Sequence, residues 1–395
     1  MPKNSLQKVL AIGKTFGVLL GSLAALSLLL LQAYAVALVS LRGEPRLPPT
    51  FGNSDRVRAL LADEGKRDEF SFGVIGDTRG SETGEQIIKG LAKEPLAFVV
   101  LLGDCVPSAS ESRHRFFRME WEESPTRFPV FYVVGNHDVV PEAFPVNRFE
   151  ELYGPTNFFF RYRGCLFIFL RVLDRPIGER TTEESLEFFE SVLAAQRRND
   201  ERVFVFTHIP PAVSPHLLWR SYRGSDRFVR LCDQYRVDYV ISGDFHGYAR
   251  VKLRNTTYLL SGGGGSPLRA PTFGRFHHGI VLRVGPASVS EDILVVGTKS
   301  DLLDGLERLA VGRVRKGVVQ AWYVAVPLDL AALAVCIFGI RALVRSVRKW
   351  TRGLRPPGAP TAPRSVVVRG ERTHQGFGGG PRAQRTSGSS RSNAR

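Results

Sequence analysis

Five short apolar runs in the middle of this chain each stop at a small polar group drawn from Asp, Asn and His. Phe70–Ile75 runs into Gly76-Asp77 and Ala97–Leu102 into Gly103-Asp104. Val130–Val134 runs into Gly135-Asn136-His137-Asp138, Arg202–Phe206 into Thr207-His208, and Val237–Ser242 into Gly243-Asp244-Phe245-His246. Apolar runs of this length bounded by turn residues read as strands buried on both faces. Helix-like spacing at 82–93, 182–197 and around 226–235 lies between them, so the expected class is α/β with a largely parallel sheet. Phe158–Arg163 and Cys165–Val172 straddle Gly164 as a hairpin would, and 251–296 alternates like antiparallel β around a glycine run at Gly262–Gly265. In open α/β sheets, ligands bind beyond the carboxyl ends of the strands. Asp77, Asp104, Asn136, His208, Asp244 and His246 are therefore expected to converge on one rim. A single Gly-Asp after a strand is ordinarily only a turn; a series of five polar strand ends points to a shared site. Carboxylate, imidazole and amide oxygen together suit Mn, Fe or Zn. Asp104, on a central strand, is placed to bridge two ions of the kind that clamp an in-line displacement.

The net charge of +16 on 395 residues does not belong to this central region. Residues 1–46 hold five Lys/Arg against one Glu and residues 341–395 hold thirteen against one, which leaves 47–340 neutral. A basic nucleic-acid groove on the domain is thereby disfavoured, and no nucleic-acid partner is expected. Four cysteines without CxxC spacing exclude a disulfide-built miniprotein and a zinc finger.

Both ends carry membrane-length segments. Between Lys14 and Arg42 lie 27 residues without a charge, and a bilayer span needs roughly 20. Ala33-Tyr34-Ala35 also fits a signal-peptide cleavage site, but the apolar run continues past it through Val39. The second segment, 317–340, carries no charge except Asp329 and contains Pro327, with Trp322 and Tyr323 at an interfacial position. Lys3, Lys8 and Lys14 precede the first segment, and Arg341, Arg345, Arg348, Lys349, Arg352 and Arg355 follow the second. The positive-inside rule places both termini in the cytoplasm and the domain outside an inner membrane, in a periplasm or its equivalent. The expected organisation is a cytoplasmic N-terminus (1–14), an anchor or signal segment (15–41), a linker (42–69), the domain (70–300), a linker (301–316), a second span (317–344) and a basic tail (345–395). The tail is rich in Gly, Pro, Ser and Arg and is expected to be disordered, with its arginines near anionic lipid headgroups.

The series Gly76-Asp77-Thr78-Arg79, Gly103-Asp104, Gly135-Asn136-His137-Asp138, Thr207-His208 and Gly243-Asp244-Phe245-His246 resembles the calcineurin-like metallophosphoesterases over about 70–300. Phe245–Arg250 followed by Gly262–Gly265 leans toward the purple-acid-phosphatase-like branch. The resemblance implies a four-layer α/β/β/α sandwich, here flanked by N- and C-terminal transmembrane helices. It also implies a site for two divalent ions (Mn, Fe, Mg or Zn) that hydrolyses phosphate esters with a metal-activated hydroxide. Position by position, it implies that Asp77 and His246 hold the first metal, Asn136 and His208 the second, and that Asp104 bridges. His137 would stand beside the phosphate and protonate the leaving oxygen or stabilise transition-state charge, with Asp138 orienting its imidazole.

Two positions depart from the family pattern. Arg79 stands where a histidine ligand is usual; it cannot ligate a metal but can contact a phosphate oxygen. The tyrosine by which purple-acid members fill that gap is absent, since its position is Pro107. Asp244 replaces a histidine ligand of the second metal and shifts preference toward Mn or Mg. His277, His278 and Cys105 read as structural, Tyr248 and Arg250 as pocket-lining or structural, and His114, His216 and His374 have no motif around them. The expected activity is that of a membrane-anchored phosphoesterase, and closeness to the bilayer makes a lipid-linked phosphate a candidate substrate. The alternatives are an inactive phosphoesterase-like binding module, favoured by Arg79 and Asp244, and a membrane scaffold whose basic tail recruits partners.

Overall fold

A computed structural model of the chain describes residues 3–40, 69–126, 128–173, 178–214, 221–269, 274–297 and 321–353, with isolated positions at 52, 306, 309, 310, 314 and 318. His216, His374, almost all of the two expected linkers and tail residues 354–395 lie outside the described residues. The chain divides into two compact units, 1–340 and 341–395. In the second, the described residues continue the last helix as far as Gly353.

Two sheets make up the centre of the first unit. One has five strands in the order β11-β10-β1-β2-β3, with β1 Phe70–Ile75, β2 Phe98–Leu101, β3 Val130–Tyr132, β10 His277–Val284 and β11 Val289–Val296. The other has six in the order β4-β5-β6-β7-β9-β8. Its strands are β4 Phe158–Tyr162, β5 Cys165–Phe169, β6 Arg202–Thr207, β7 Tyr239–Ser242, β8 Tyr248–Leu253 and β9 Thr256–Ser261. β1, β2 and β3 pair in parallel, as do β5, β6, β7 and β9, while β4, β8, β10 and β11 pair antiparallel. The parallel sets are the near-continuous apolar runs of the sequence; strands buried on both faces have no polar side to show.

Three separate apolar clusters define four layers. Between the sheets lies a phenylalanine-rich core that includes Phe72, Phe98, Phe131, Phe160, Phe167, Phe204 and Phe206. Rings from the two sheets interlock edge to face, with centroids 5.4 Å apart for Phe72–Phe204 and 5.2 Å for Phe98–Phe167. Such pairs add about 0.5–1.5 kcal/mol beyond the area they bury. The first sheet's outer face is covered by α2 (Glu82–Leu91), α3 (Glu111–Glu123) and α4 (Val146–Tyr153) through Ile87, Leu91, Phe117, Trp121 and Phe149. The second sheet's outer face is covered by α5 (Gly178–Gln196) and α6 (Ser225–Gln234) through Leu186, Phe189, Phe228 and Leu231. This is the α/β/β/α sandwich that the resemblance implied. Helices α3 and α4 were not apparent in the sequence. Ser110 caps α3 and Ser81 caps α2, each accepting a hydrogen bond from an amide three residues on.

Two long helices stand at the ends, α1 (Lys3–Ser40) and α7 (Trp322–Gly353). Within them Gly13–Ala37 and Trp322–Lys349 are long and apolar enough to cross a bilayer by length and composition. Leu20, Leu23, Leu30, Leu328, Leu330 and Phe338 are exposed, as lipid-facing side chains would be. The helices meet at small residues: Ser22 Oγ donates to the Val335 carbonyl at 3.2 Å, and a side chain on Gly339 would strike Ser22. Ala332, Cys336 and Gly339 are the buried positions of α7, and Asp329 shares their face. Close approach at small residues is how apolar helices pair in lipid.

Candidate metal centre

The two sheets present the carboxyl ends of their parallel strands to the same rim. β1 delivers Asp77, β2 Asp104, β3 Asn136, β6 His208 and β7 Asp244 with His246. The residues immediately after these strands turn sharply. Asp77, Arg79, Asp104, Asp244 and His246 all adopt left-handed backbone, with φ of 60°, 49°, 53°, 59° and 50°. Non-glycine residues in this region cost roughly 1–3 kcal/mol each and cluster at functional sites. Cross-loop bonds hold the strained turns: the Asp77 amide donates to the Gly103 carbonyl and the Arg79 amide to the Asp104 carbonyl, both at 3.0 Å. Gly103 has φ +91°, and a side chain there would come within 2.6 Å of His208 Nδ1.

The three rim histidines share one construction. Nδ1 of His208 lies 2.7 Å from the Leu102 carbonyl, Nδ1 of His137 2.9 Å from the Pro107 carbonyl, and Nδ1 of His246 2.9 Å from the Pro267 carbonyl. A carbonyl only accepts, so each Nδ1 carries the proton. In the neutral ring Nε2 is then a bare lone pair aimed at the rim, as metal-ligating histidines require.

Around His208 Nε2 the neighbours are all acceptors: Asn136 Oδ1 at 3.0 Å, Asp104 Oδ1 at 3.3 Å and Asp244 Oδ1 at 3.7 Å. Four acceptors at such separations repel unless a cation or a proton lies among them. With three oxygens and one nitrogen they form a set that fits one hard or borderline divalent ion. A second cluster comprises Asp77, Asp104 and His246, whose donor atoms lie within 4.8 Å of one another. Asp77 Oδ1 is buried there, 3.3 Å from His246 Nε2, with no hydrogen-bond partner. Arg79 reaches into this second cluster. One guanidinium nitrogen is 3.3 Å from Asp104 Oδ2 and 3.4 Å from His246 Nε2.

The electrostatics follow from this crowding. Burial opposes charge on His208, but Asp104, Asp77 and Asp244 outweigh it and push the imidazole up to about 9. Burial likewise opposes the Asp104 carboxylate; His208, His137, the His137 amide and Arg79 overcome it and hold the carboxyl below its ordinary value.

Asp138 does not do what was expected of it. Its Oδ2 accepts from the amides of Asp104 and Gly135, both at 2.8 Å, and its Oδ1 from the Cys105 amide at 3.1 Å and the Tyr132 hydroxyl at 2.9 Å. It is buried beneath the Asp104 loop and ties that loop to the Gly135 turn. Both nitrogens of His137 are accounted for elsewhere, Nδ1 at Pro107 and Nε2 3.9 Å from Asp104 Oδ2. The Pro107 carbonyl, and not the Asp138 carboxylate, orients this imidazole. Backbone acceptors such as Pro107, Leu102 and Pro267 leave no side-chain signal, which is why they were not foreseen.

The lesser candidates resolve structurally. His114 stacks on Phe144 with centroids 3.9 Å apart and bonds to the Asp138 carbonyl, and burial lowers it to about 4. His277 bonds to the Gly263 carbonyl and His278 to Ser261. Cys105 is fully buried. Arg250 pairs with Glu291 at 3.1 Å, and Tyr248 packs on Phe276 and His278.

Comparison with known proteins agrees with this architecture. Residues 70–248 match the family model of calcineurin-like phosphoesterases. No curated protein matches the chain. Among solved structures, it is similar to GAP50, the anchor in the inner membrane complex of Plasmodium, at 15% identity over 62% of this chain and 96% of that one, TM-score 0.46. A purple acid phosphatase from yellow lupin seeds is 16% identical over 61% of this chain and 55% of its own, TM-score 0.46. A dimetal phosphatase from Danio rerio is 14% identical over 57% of this chain and 99% of its own, TM-score 0.41. The stretch from Phe70 to Tyr248 that matches the calcineurin-like phosphoesterase model is just under half of the chain and carries the rim residues from Asp77 to His246.

Proposed function

We propose that this chain is a membrane-anchored, metal-dependent phosphoesterase that hydrolyses phosphate esters at the rim built by Asp77, Asp104, Asn136, His208, Asp244 and His246. One observation supports it above all: oxygen atoms from strand ends as distant in sequence as Asp104 and Asp244 crowd to within 3–4 Å of His208 Nε2, an arrangement that calls for a cation or a proton at its centre. Asp104, Asn136, His208 and Asp244 would hold one ion, and Asp77, Asp104 and His246 frame a second position. When bound, such ions supply Lewis acidity and a nucleophilic hydroxide at neutral pH.

The remaining roles belong to the chain's own side chains. Arg79 presents a guanidinium at the rim, suited to a charge-assisted hydrogen bond with a phosphate oxygen. His137 is half-exposed beside Asp104, with its Nδ1 proton fixed by Pro107. In its imidazolium form Nε2 can pass a proton to the leaving oxygen. Asp138 keeps the Asp104 and Gly135 turns together, so it positions the site without touching substrate. The two apolar helices would anchor the domain on the outer face of an inner membrane with both termini cytoplasmic, and that position makes a lipid-linked phosphate ester a candidate substrate.

A second reading is favoured by Arg79 and Asp244: a domain that keeps the fold and binds phosphate without turning it over. Purified full-length protein separates the two. Hydrolysis of an aryl phosphate that requires added Mn and is lost in Asp104→Asn, with the fold retained by circular dichroism, supports the enzyme. Protein that holds no divalent metal and stays inert with added Mn removes it.

A further inference from the structure

We propose that Arg79 takes the place of one of the two cations, so that this rim binds a single divalent ion and uses a guanidinium as its built-in partner charge. The inference rests on reading the rim as a metal site.

The argument starts from lone pairs. The Nδ1 proton of His246 is committed to Pro267, so its only ligating lone pair is on Nε2. A guanidinium N–H of Arg79 stands 3.4 Å from that lone pair, and the same nitrogen is 3.3 Å from Asp104 Oδ2. Two of the three donors that frame the second position therefore already face a permanent cation, since guanidinium stays protonated at any accessible pH. The side chain is not a loose surface arginine. Its exposure is 19%, and its backbone is held left-handed at φ 49° by the hydrogen bond that its N–H donates to the Asp104 carbonyl.

Charge points the same way. The rim carboxylates are Asp77, Asp104 and Asp244, and the two ligating imidazoles are neutral once their Nε2 lone pairs are engaged. One guanidinium and one divalent ion balance three carboxylates. A second divalent ion would leave a buried excess of positive charge beside Arg79, where repulsion is poorly screened. The set around His208 meets Arg79 only through the far oxygen of Asp104, and it supplies four donors, so the single ion belongs there. The feature that speaks for a second ion is Asp77 Oδ1, buried without a hydrogen-bond partner. In the one-ion arrangement Asp77 acts instead as a fixed charge whose other oxygen accepts the Asp244 amide at 2.9 Å.

The test counts ions. Full-length protein in detergent is stripped with chelator, loaded with Mn and freed of excess, then assayed for Mn per chain and by electron paramagnetic resonance. Wild type is expected to hold one Mn with the six-line spectrum of an isolated ion. Arg79→His, which restores a ligand, is expected to hold two with an exchange-coupled spectrum, and Asp77→Asn to retain the one. Two coupled ions in the wild type overturn the inference and leave the metallophosphoesterase reading standing. No bound Mn in wild type overturns that reading itself. Loss of the only ion in Asp77→Asn places it in the Asp77 cluster and overturns the assignment to the His208 set. The wild-type count decides the matter even if Arg79→His does not fold.

Discussion

Replacing Asp138 by Asn separates the structure's account of this residue from the role its place in the sequence suggests. The carboxylate accepts from the amides of Asp104, Gly135 and Cys105 and from the Tyr132 hydroxyl, all within 2.8–3.1 Å, and is fully buried. An asparagine keeps one acceptor oxygen and turns an NH2 group toward the donors on the other side. If that side is Oδ2, the Asp104 and Gly135 amides both lose their acceptor. A buried donor left unsatisfied costs about 1–3 kcal/mol, so two give roughly 2–6 kcal/mol. Burial and the Asp104 charge push Asp138 up to about 6, so removing the buried charge returns part of this, and about 4 kcal/mol is the working figure. For a domain of this size that lowers the melting temperature by roughly 8–16 °C. The assay is thermal unfolding of full-length protein in detergent, with His137→Ala as the companion. The His137 side chain is 34% exposed, and its loss should move the midpoint by no more than about 3 °C while reducing kcat. If Asp138→Asn instead matches His137→Ala, losing turnover with an unchanged midpoint, Asp138 serves the imidazole after all and the loop-anchor role is wrong.

Three further outcomes are expected. His208 is pushed up to about 9 without metal, so ligation at pH 7 must expel a proton: Mn binding in weak buffer should release about one proton per ion, and affinity should rise with pH until about 9; pH-independent binding without proton release contradicts this. His114 and His278 are each lowered by burial to about 4, below their unfolded value, so the native state binds fewer protons than the unfolded chain between about pH 6.5 and 4. Stability should therefore be full above pH 6.5 and fall by up to ~1.4 kcal/mol per pH unit for each histidine as pH drops through that window; denaturant midpoints that stay level from pH 7 to 5 refute it. Gly339→Leu puts a side chain against Ser22 and should abolish a cysteine cross-link engineered between α1 and α7 in membranes; an undiminished cross-link means the helices do not pair there.

Much of the site was legible because its logic is periodic. Apolar strands that end in Asp, Asn or His announce themselves, and a parallel sheet has only one rim on which to gather their ends. Asp77, Asp104, Asn136, His208, Asp244 and His246 were named on that basis, and the structure brings them together. What stayed hidden was carried by the backbone. The left-handed turns at Asp77, Arg79 and Asp104, and the Leu102, Pro107 and Pro267 carbonyls that fix three histidine tautomers, involve no distinctive side chain. Asp138 was misassigned for a related reason. It follows His137 in sequence, but the tight turn at Gly135–Asp138 sends its carboxylate inward beneath the Asp104 loop. The helix Glu111–Glu123 was missed because charged residues break up its apolar stripe, as in Glu-Ser-Arg-His-Arg at its start, and Val146–Tyr153 because it is only eight residues long, although Val146, Phe149, Leu152 and Tyr153 follow helical spacing.

Anomalous diffraction from crystals soaked with Mn and a phosphate analogue tests the central claim most directly. The expected map has a strong Mn peak within ligating distance of Asp104, Asn136, His208 and Asp244, with the analogue's oxygens turned toward Arg79 and His137. A rim without Mn in a fully soaked crystal, or these side chains too far apart to share one ion, would contradict it.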